Sequence, residues 1–407
     1  MVNDMKKSIL IIMPGAMELG GVERSLIGLL SSLDYDHYDV DLFLYGHHGS
    51  LFSLINPRVN ILPECKELAY LRESFSNKLR HGCYYSAALR LRDACLSVFH
   101  ETSNDRTWAQ VMRHCTKPLK KHYDAAMSFF LPFDFLDEQV DASVKIGWIH
   151  TDYSTEKTDH TFLLEQYEKL DVIVAVSESC RKSFCSVFPQ LEKQVVVVEN
   201  ILPVVLVRSG ADEFSVEGEM PDKGIRLLSI GRYCTQKNFD NVPDICSRMI
   251  QSGLDVYWYI IGFGPDEPLI RQRIAEAGME NRVILLGKKE NPYPYIKACD
   301  LYVQPSRYEG KCVTVREAQM LGKPVVITRY ATSSSQLEED VDGVIVPMDN
   351  EGCAAGIHAL ATDAPKMQQL SKACSERDYS NAREAERLIQ LLDKKKYLLE
   401  NEHRFKG

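Results

Sequence analysis

Short apolar runs alternate with helically spaced stretches along most of the chain. Ser8–Met13 is a continuous apolar run of the kind that forms a strand buried on both faces. Val22–Leu33 spaces its leucines and isoleucine as one face of a helix, and Val40–Tyr45 is strand-like again. Together they predict a βαβ unit, hence a parallel sheet with helices on its faces. Glu64–Lys121 reads as helix-rich. Sheet signals return at Ala125–Phe130, Ser143–Ile149, Asp171–Val176 and Val195–Glu199. Leu202–Asp222 loses all periodicity and carries Pro203, Gly210, Gly218 and Pro221, so it reads as a linker. A second series follows, with strands at Arg226–Ile230, Val256–Ile261, Val283–Leu286, Leu301–Gln304, Val325–Thr328 and Gly343–Val346. Its helices fall near Val242–Gln251, Glu267–Ala277 and from about Val315. The pattern predicts two doubly wound α/β domains, at 1–203 and 204–385. Residues 386–407 belong to a charged amphipathic helix, Ala382–Asn401, expected to cross back to the first domain.

Composition narrows the class. The 407 residues are 45% apolar and 26% charged, the balance of a globular protein, and the net charge of −9 argues against a general nucleic-acid binder. No apolar run reaches the ~20 residues that span a bilayer; the best, Val195–Val198 and Ile201–Val207, is broken by Glu199, Asn200 and Pro203. Lys6-Lys7 before Ile9–Met13 imitates a signal peptide, but Pro14-Gly15 and Glu18 end the run too early, so a buried first strand and a cytoplasmic protein are expected. The twelve cysteines form no dense framework, and Cys180 and Cys185 lack a second pair to complete a zinc site.

Ligands of doubly wound sheets bind at the carboxyl ends of the strands, which directs attention to the loops there. After the first strand, Gly20-Gly21 precedes a helix whose N-terminus favours an anion; an ordinary tight turn fits the same residues. After Arg226–Ile230 come Arg232 and Lys237, a guanidinium fork and a mobile ammonium suited to a diphosphate, or else two solvated cations. Beyond Leu301–Gln304, Glu309 and Glu317 stand eight apart. A carboxylate there accepts two hydrogen bonds from a vicinal diol such as ribose; helix capping and a surface acid are the plain alternatives.

Glu309-x7-Glu317, with Gly231-Arg232…Lys237-Asn238, Gly262-x-Gly264-Pro265, Asp300…Pro305-Ser306 and Gly322-x-Pro324-Val325, resembles the retaining glycosyltransferases of the GT-B fold, family 4. Gly20-Gly21-Val22-Glu23-Arg24 and Asp171-x-x-x-Ala175-Val176-Ser177-Glu178 extend the likeness over nearly the whole chain. The resemblance implies two Rossmann-like domains facing across a cleft, the first binding acceptor and the second a nucleotide sugar, a UDP-sugar being favoured. It implies that Arg232 and Lys237 hold the donor diphosphate and that Glu317 binds the ribose. Glu309 would meet the transferred sugar with backbone amides of Gly310, Lys311, Cys312 and Val313. Gly20 and Gly21 would approach the phosphates. His150, in Gly147-Trp148-Ile149-His150, matches the family's histidine near the donor sugar; Asn200 matches a hinge position and reads as structural. The expected reaction retains configuration at the anomeric carbon of a hexose or N-acetylhexosamine, without a cofactor or required metal. Asp34-Tyr35-Asp36, Asp39-Val40-Asp41 and Asp340-Val341-Asp342 are accordingly not expected to bind one. Where the family often has Glu-Gly-Phe-Gly, this chain has Glu309-Gly310-Lys311-Cys312, which adds a cation. Ser333-Ser334-Ser335 also stands where a glycine is common.

Lys66–Asp124 holds eleven Lys/Arg against six Asp/Glu, interleaved with Tyr84, Tyr85, Leu89, Leu91, Leu96 and Phe99. Such a surface suits an anionic lipid or a lipid-linked diphosphate, and equally a solvated helical face. The leading expectation is a cytoplasmic transferase extending a glycan or lipid-linked saccharide in bacterial surface polysaccharide synthesis, with peripheral contact at the inner membrane face. A GT-B sugar epimerase and a non-catalytic nucleotide-sugar-binding protein are the alternatives; a phosphorylase and a glycoside hydrolase fit the residues less well.

Overall fold

The computed structural model describes residues 6–392 except 19, 72, 97–103, 132, 152 and 154–159. The chain forms two compact units that part between Ile201 and Leu202 and rejoin between Asn381 and Ala382.

Unit 1 is built on seven strands: β1 (Lys7–Ala16), β2 (Tyr38–Gly46), β3 (Asn60–Ile61), β4 (Ala125–Ser128), β5 (Lys145–Ile149), β6 (Val172–Ala175) and β7 (Val195–Val197). They lie in the order β3-β2-β1-β4-β5-β6-β7, all parallel. Central β1 pairs Ile9 with Val40 on one side and with Ala125 on the other, and Ile9–Met13 are buried throughout. This explains the unbroken apolar run, since a strand covered on both faces has no solvent side to alternate towards. Ser177 caps the helix Glu178–Val187 by accepting from the Cys180 N–H, and Asp171 accepts from the Lys145 N–H at 2.9 Å.

The helix-rich stretch contains Lys66–Ala69, Phe75–Arg80, Tyr84–Leu96 and Asn104–Cys115. One of its cations is internal: Lys78 is buried and donates to the carbonyls of Tyr70 (2.7 Å) and Leu71 (2.6 Å). Phe99 lies outside the described residues, as do 393–407. The last described helix, Arg383–Leu391, buries Ala385, Leu388 and Leu391 in the core of unit 1.

Unit 2 carries β8 (Ile225–Ile230), β9 (Val256–Ile261), β10 (Val283–Gly287), β11 (Leu301–Gln304), β12 (Val325–Thr328) and β13 (Val344–Val346). Their order is β10-β9-β8-β11-β12-β13, again parallel. Alternate residues serve opposite faces: Leu227, Leu301 and Val303 join one core cluster, Leu228 and Tyr302 the other.

The segment expected to be a linker is instead part of unit 2. Val204–Gly210 is helical, and Leu202, Val207, Ala211, Val216 and Met220 are buried in the second cluster. Seven residues of helix are too short to display a 3.6-residue period among prolines and glycines, which is why composition alone reads as a tether. Val207→Ala should therefore lower the stability of unit 2 by about 2 kcal/mol, the worth of two buried methyl groups plus some cavity cost. Guanidinium titration followed through buried Trp258 measures it; an unchanged midpoint would mean the segment is a tether after all.

Candidate functional site

The loop after β8 is shaped to deliver one ammonium. The aliphatic stem of Lys237 passes Gly231 so closely that a Cβ there would stand 3.0 Å from Lys237 Cε. The turn Thr235–Lys237 ends at Asn238, whose φ of 60° is left-handed, a conformation asparagine tolerates better than most residues. Its Oδ1 accepts from Asn241 Nδ2 at 2.7 Å. Side chains at Gly262 and Gly264 would collide with the carbonyls of Gly231 and Tyr233, so the loops after β8 and β9 lie backbone to backbone. The Tyr233 N–H donates to the Phe263 carbonyl at 2.9 Å.

Lys237 Nζ meets Glu309 Oε1 at 2.5 Å, and both side chains are largely shielded from water. Glu309 also accepts from Ser306 Oγ (2.6 Å) and Gln236 Nε2 (3.3 Å). Behind Ser306, Gln304 donates to its hydroxyl at 2.9 Å, and the Tyr302 hydroxyl bonds Gln304 Oε1 at 2.9 Å. A chain of buried polar groups thus runs from the sheet to the carboxylate. Burial alone would lower the Lys237 pKa; the Glu309 carboxylate outweighs it, so the ammonium is held above the ordinary lysine range. Arg307 ties the same loops together, with bidentate bonds to Asp240 at 2.9 and 2.8 Å. Arg232 is exposed, and its guanidinium makes no hydrogen bond or ion pair with any described residue.

Glu317 lies inside unit 2, on the helix Val313–Met320, with Oε1 accepting from the Tyr293 hydroxyl at 3.0 Å. Tyr293 opens the helix Tyr293–Ala298, which the sequence pattern hid behind Pro292 and Pro294. Gly310 and Val313 are buried beside these groups. Lys311 Nζ donates to the Ser335 carbonyl at 2.7 Å. The expectation of free amides from Gly310 to Val313 needs one correction. The Cys312 N–H is already committed to Oε1 of the buried Gln336 at 2.7 Å.

In unit 1 the carboxyl edge carries the other expected residues. Gly20 is the N-cap of Gly21–Ser32, and a side chain on it would strike the Glu23 carboxylate, which folds back over this helix start. Asn200 accepts from Ser25 Oγ at 2.9 Å, the structural role expected of it. His150 follows β5 inside a cage of Trp148 (5.8 Å between ring centroids), Phe129 (5.9 Å) and Phe130 (6.4 Å). Its Nε2 is buried with no hydrogen-bond partner among the described residues. Burial pulls the imidazole down to about 4, against a smaller upward pull from its hydrogen bond to the Phe129 backbone. His150 is therefore neutral near pH 7. Asp342, from the third Asp-x-Asp, is spent on the Tyr379 hydroxyl (3.1 Å), Arg377 (3.2 Å) and the Glu338 N–H (2.8 Å). Among the described residues no group of three or more His, Cys, Asp or Glu is placed to hold a metal ion.

Residues 211–377, nearly all of unit 2, match the family model described as glycosyl transferases group 1. The family match thus falls on unit 2. Among curated relatives, the lipopolysaccharide core biosynthesis glycosyltransferase LpsD of Rhizobium meliloti is 26% identical over 39% of this chain and 45% of its own length. A Campylobacter jejuni N-acetylgalactosaminyltransferase, named as acting on a diphospho-undecaprenol saccharide, is 26% identical over 57% of this chain and 61% of its own. The matches thus span about half the length of these relatives. Solved structures agree over more of the chain. Anabaena HepE in complex with UDP superposes with a TM-score of 0.66 at 16% identity, covering 96% of this chain and 100% of that one. Staphylococcus aureus TarM gives 0.67 at 13%, covering 96% and 100%. At such identities the likeness establishes the GT-B fold.

Unit 2 brings Lys237, Glu309, Gly310, Lys311, Cys312, Val313 and Glu317 into one region, and leaves Arg232 exposed. Sequence reasoning missed Tyr293, Gln236, Thr332 and Gln336, isolated polar residues that no period or spacing marks. A pH prediction follows from His150. Its folded pKa lies below the ordinary 6.5, so between about pH 6.5 and 4 the unfolded chain binds the extra proton and stability falls as pH drops. His150→Gln should flatten that part of the curve. Urea midpoints of both proteins at pH 7, 6 and 5 check this, and parallel curves would place the titration elsewhere.

Proposed function

We propose that the protein is a retaining glycosyltransferase moving a hexose or N-acetylhexosamine from a nucleotide sugar, with a UDP-sugar favoured, to a glycan or lipid-linked saccharide in surface polysaccharide assembly. The observation that carries this reading is the shielded Lys237–Glu309 pair beside Glu317 and the start of the helix Val313–Met320, within the segment that matches the glycosyl transferases group 1 model. The activities for which the relatives are named support the setting, and the UDP bound to HepE supports the donor base.

In this reading Lys237 and Arg232 neutralise the donor diphosphate and the charge that grows on it as the anomeric bond breaks, the kind of fixed electrostatic stabilisation that dominates many enzymes. The first turn of Val313–Met320 adds a positive dipole end. Glu317 takes the ribose hydroxyls, and Glu309 contacts the transferred sugar. The acceptor hydroxyl oxygen forms the new bond to the anomeric carbon on the face from which the nucleoside diphosphate departs. Its proton passes to the departing phosphate oxygen, so no protein carboxylate serves as nucleophile and neither metal nor cofactor takes a step.

Unit 1 binds the acceptor in this reading, with peripheral contact at the inner membrane face. Tyr84, Ala88, Leu91 and Cys95 form an exposed stripe at helical spacing, beside exposed Phe75, Leu79, Arg80 and Arg92, which suits an anionic lipid surface. No helix among the described residues is long and apolar enough to cross a membrane. Flotation with anionic liposomes at low salt should carry the protein upward, and Leu91→Asp should reduce it; sedimentation without lipid would remove the membrane from the proposal.

The donor site is tested first by thermal shift with UDP-, GDP- and ADP-sugars. A true donor at 100 times its dissociation constant adds about 2.7 kcal/mol, or roughly 5–10 °C for a domain of this size. Glu317→Ala should weaken nucleotide binding about 10- to 100-fold, the worth of hydrogen bonds to a charged group. Lys237→Ala should lower turnover at least about 100-fold with less effect on affinity. Wild-type transfer by both variants would overturn the assignment.

A further inference from the structure

The loop Tyr308–Cys312 takes its shape from a segment on the next strand's connection. Thr332 Oγ1 donates to the Glu309 carbonyl at 2.6 Å, and the Ser335 carbonyl receives the Lys311 ammonium at 2.7 Å. Gln336 does more, because its amide uses both ends on one residue. Oε1 accepts from the Cys312 N–H at 2.7 Å, while Nε2 donates to the Cys312 carbonyl at 3.1 Å. Gln336 and Thr332 are both buried.

Cys312 is the N-cap of Val313–Met320, yet its side chain makes no full cap hydrogen bond; only a weak pull from the Val315 N–H reaches its sulfur. The Cys312 thiol faces Thr314 Oγ1 instead, at 3.2 Å. A usual N-cap side chain would occupy the first-turn N–H groups, which an anionic ligand needs. Here the helix start is held from outside, by a side chain that grips the peptide groups flanking the cap and itself occupies none of the first-turn N–H groups. A primary amide carries an acceptor and a donor side by side, which matches the N–H and carbonyl of one residue.

We infer that Gln336 is a positioning residue for donor binding: through Cys312 it aims the first turn of Val313–Met320 at the donor diphosphate without touching the donor. The inference rests on the nucleotide-sugar reading above. It separates two tasks that usually fall to one residue, since the cap is fixed by Gln336, which itself takes none of the first-turn N–H groups.

Isothermal titration of UDP and UDP-glucose into wild type, Gln336→Met and Gln336→Glu tests it. Gln336→Met keeps the volume and loses both bonds; Gln336→Glu still accepts from the Cys312 N–H but sets a carboxylate against the Cys312 carbonyl. The expected result is a dissociation constant raised about 10-fold or more in Gln336→Met, and less in Gln336→Glu, with binding stoichiometry unchanged. A fall in stoichiometry with wild-type affinity would mean that Gln336 only holds the fold, and would overturn the inference. So would wild-type affinity and stoichiometry together. If Gln336→Met does not fold, Thr332→Val, which removes the bond to the Glu309 carbonyl while keeping shape, is read the same way with about 5-fold weakening expected. Failure of the wild type itself to bind any sugar nucleotide in the thermal-shift series would count against the proposed function, and is distinct from these outcomes.

Discussion

The shielded ion pair between Lys237 and Glu309 is the constraint around which unit 2 is arranged. A carboxylate removed from water is costly unless a cation and hydrogen bonds meet it, and removing one partner of such a pair typically costs about 3–5 kcal/mol. Meeting that requirement forces the loops after β8 and β11 together. It explains why residue 231 lacks a side chain, why Asn238 turns left-handed, and why Ser306, Gln304 and Tyr302 line up behind the carboxylate. The geometry therefore exists before any ligand arrives. Under the proposed donor-binding role, an incoming diphosphate would compete with Glu309 for an ammonium already in place.

The strands of both units were legible because parallel strands covered on both faces leave continuous apolar runs, as β1 and β9 do. The motif residues were legible for a less direct reason. Many of them build the fold rather than touch a ligand. Asp300 accepts from the Arg226 backbone N–H at 2.8 Å and from its guanidinium at 2.9 Å. Ser177 caps a helix, and Gly262 and Gly264 permit two loops to touch. A family pattern can thus be recognised through residues that hold its scaffold, and the chemical roles are then carried along by position.

What escaped the sequence shares one property. Val204–Gly210, Tyr293 and Gln336 act through contacts made far along the chain, with no periodicity around them. A short helix among prolines looks like a tether until its Val207 is seen inside the core. Lys78 looked like surface charge until its ammonium was found on two carbonyls. Glu317 was expected at a ribose, and its full burial with Tyr293 adds that the carboxylate is oriented from behind by a phenol. Charge counts and spacing report composition along the chain; they do not report which side chains turn inward.

The last described helix gives the chain an order of assembly. Unit 2 is one continuous segment, whereas the core of unit 1 is completed by Leu388 and Leu391, which leave the ribosome after all of unit 2. Domains generally fold as units during synthesis. Unit 2 can close as soon as Asn381 emerges, while the earlier-made unit 1 waits with an apolar groove open. The first half of the protein to be made is the second to be finished, and a ribosome that stops short of Arg383 releases a sound second unit attached to an incomplete first.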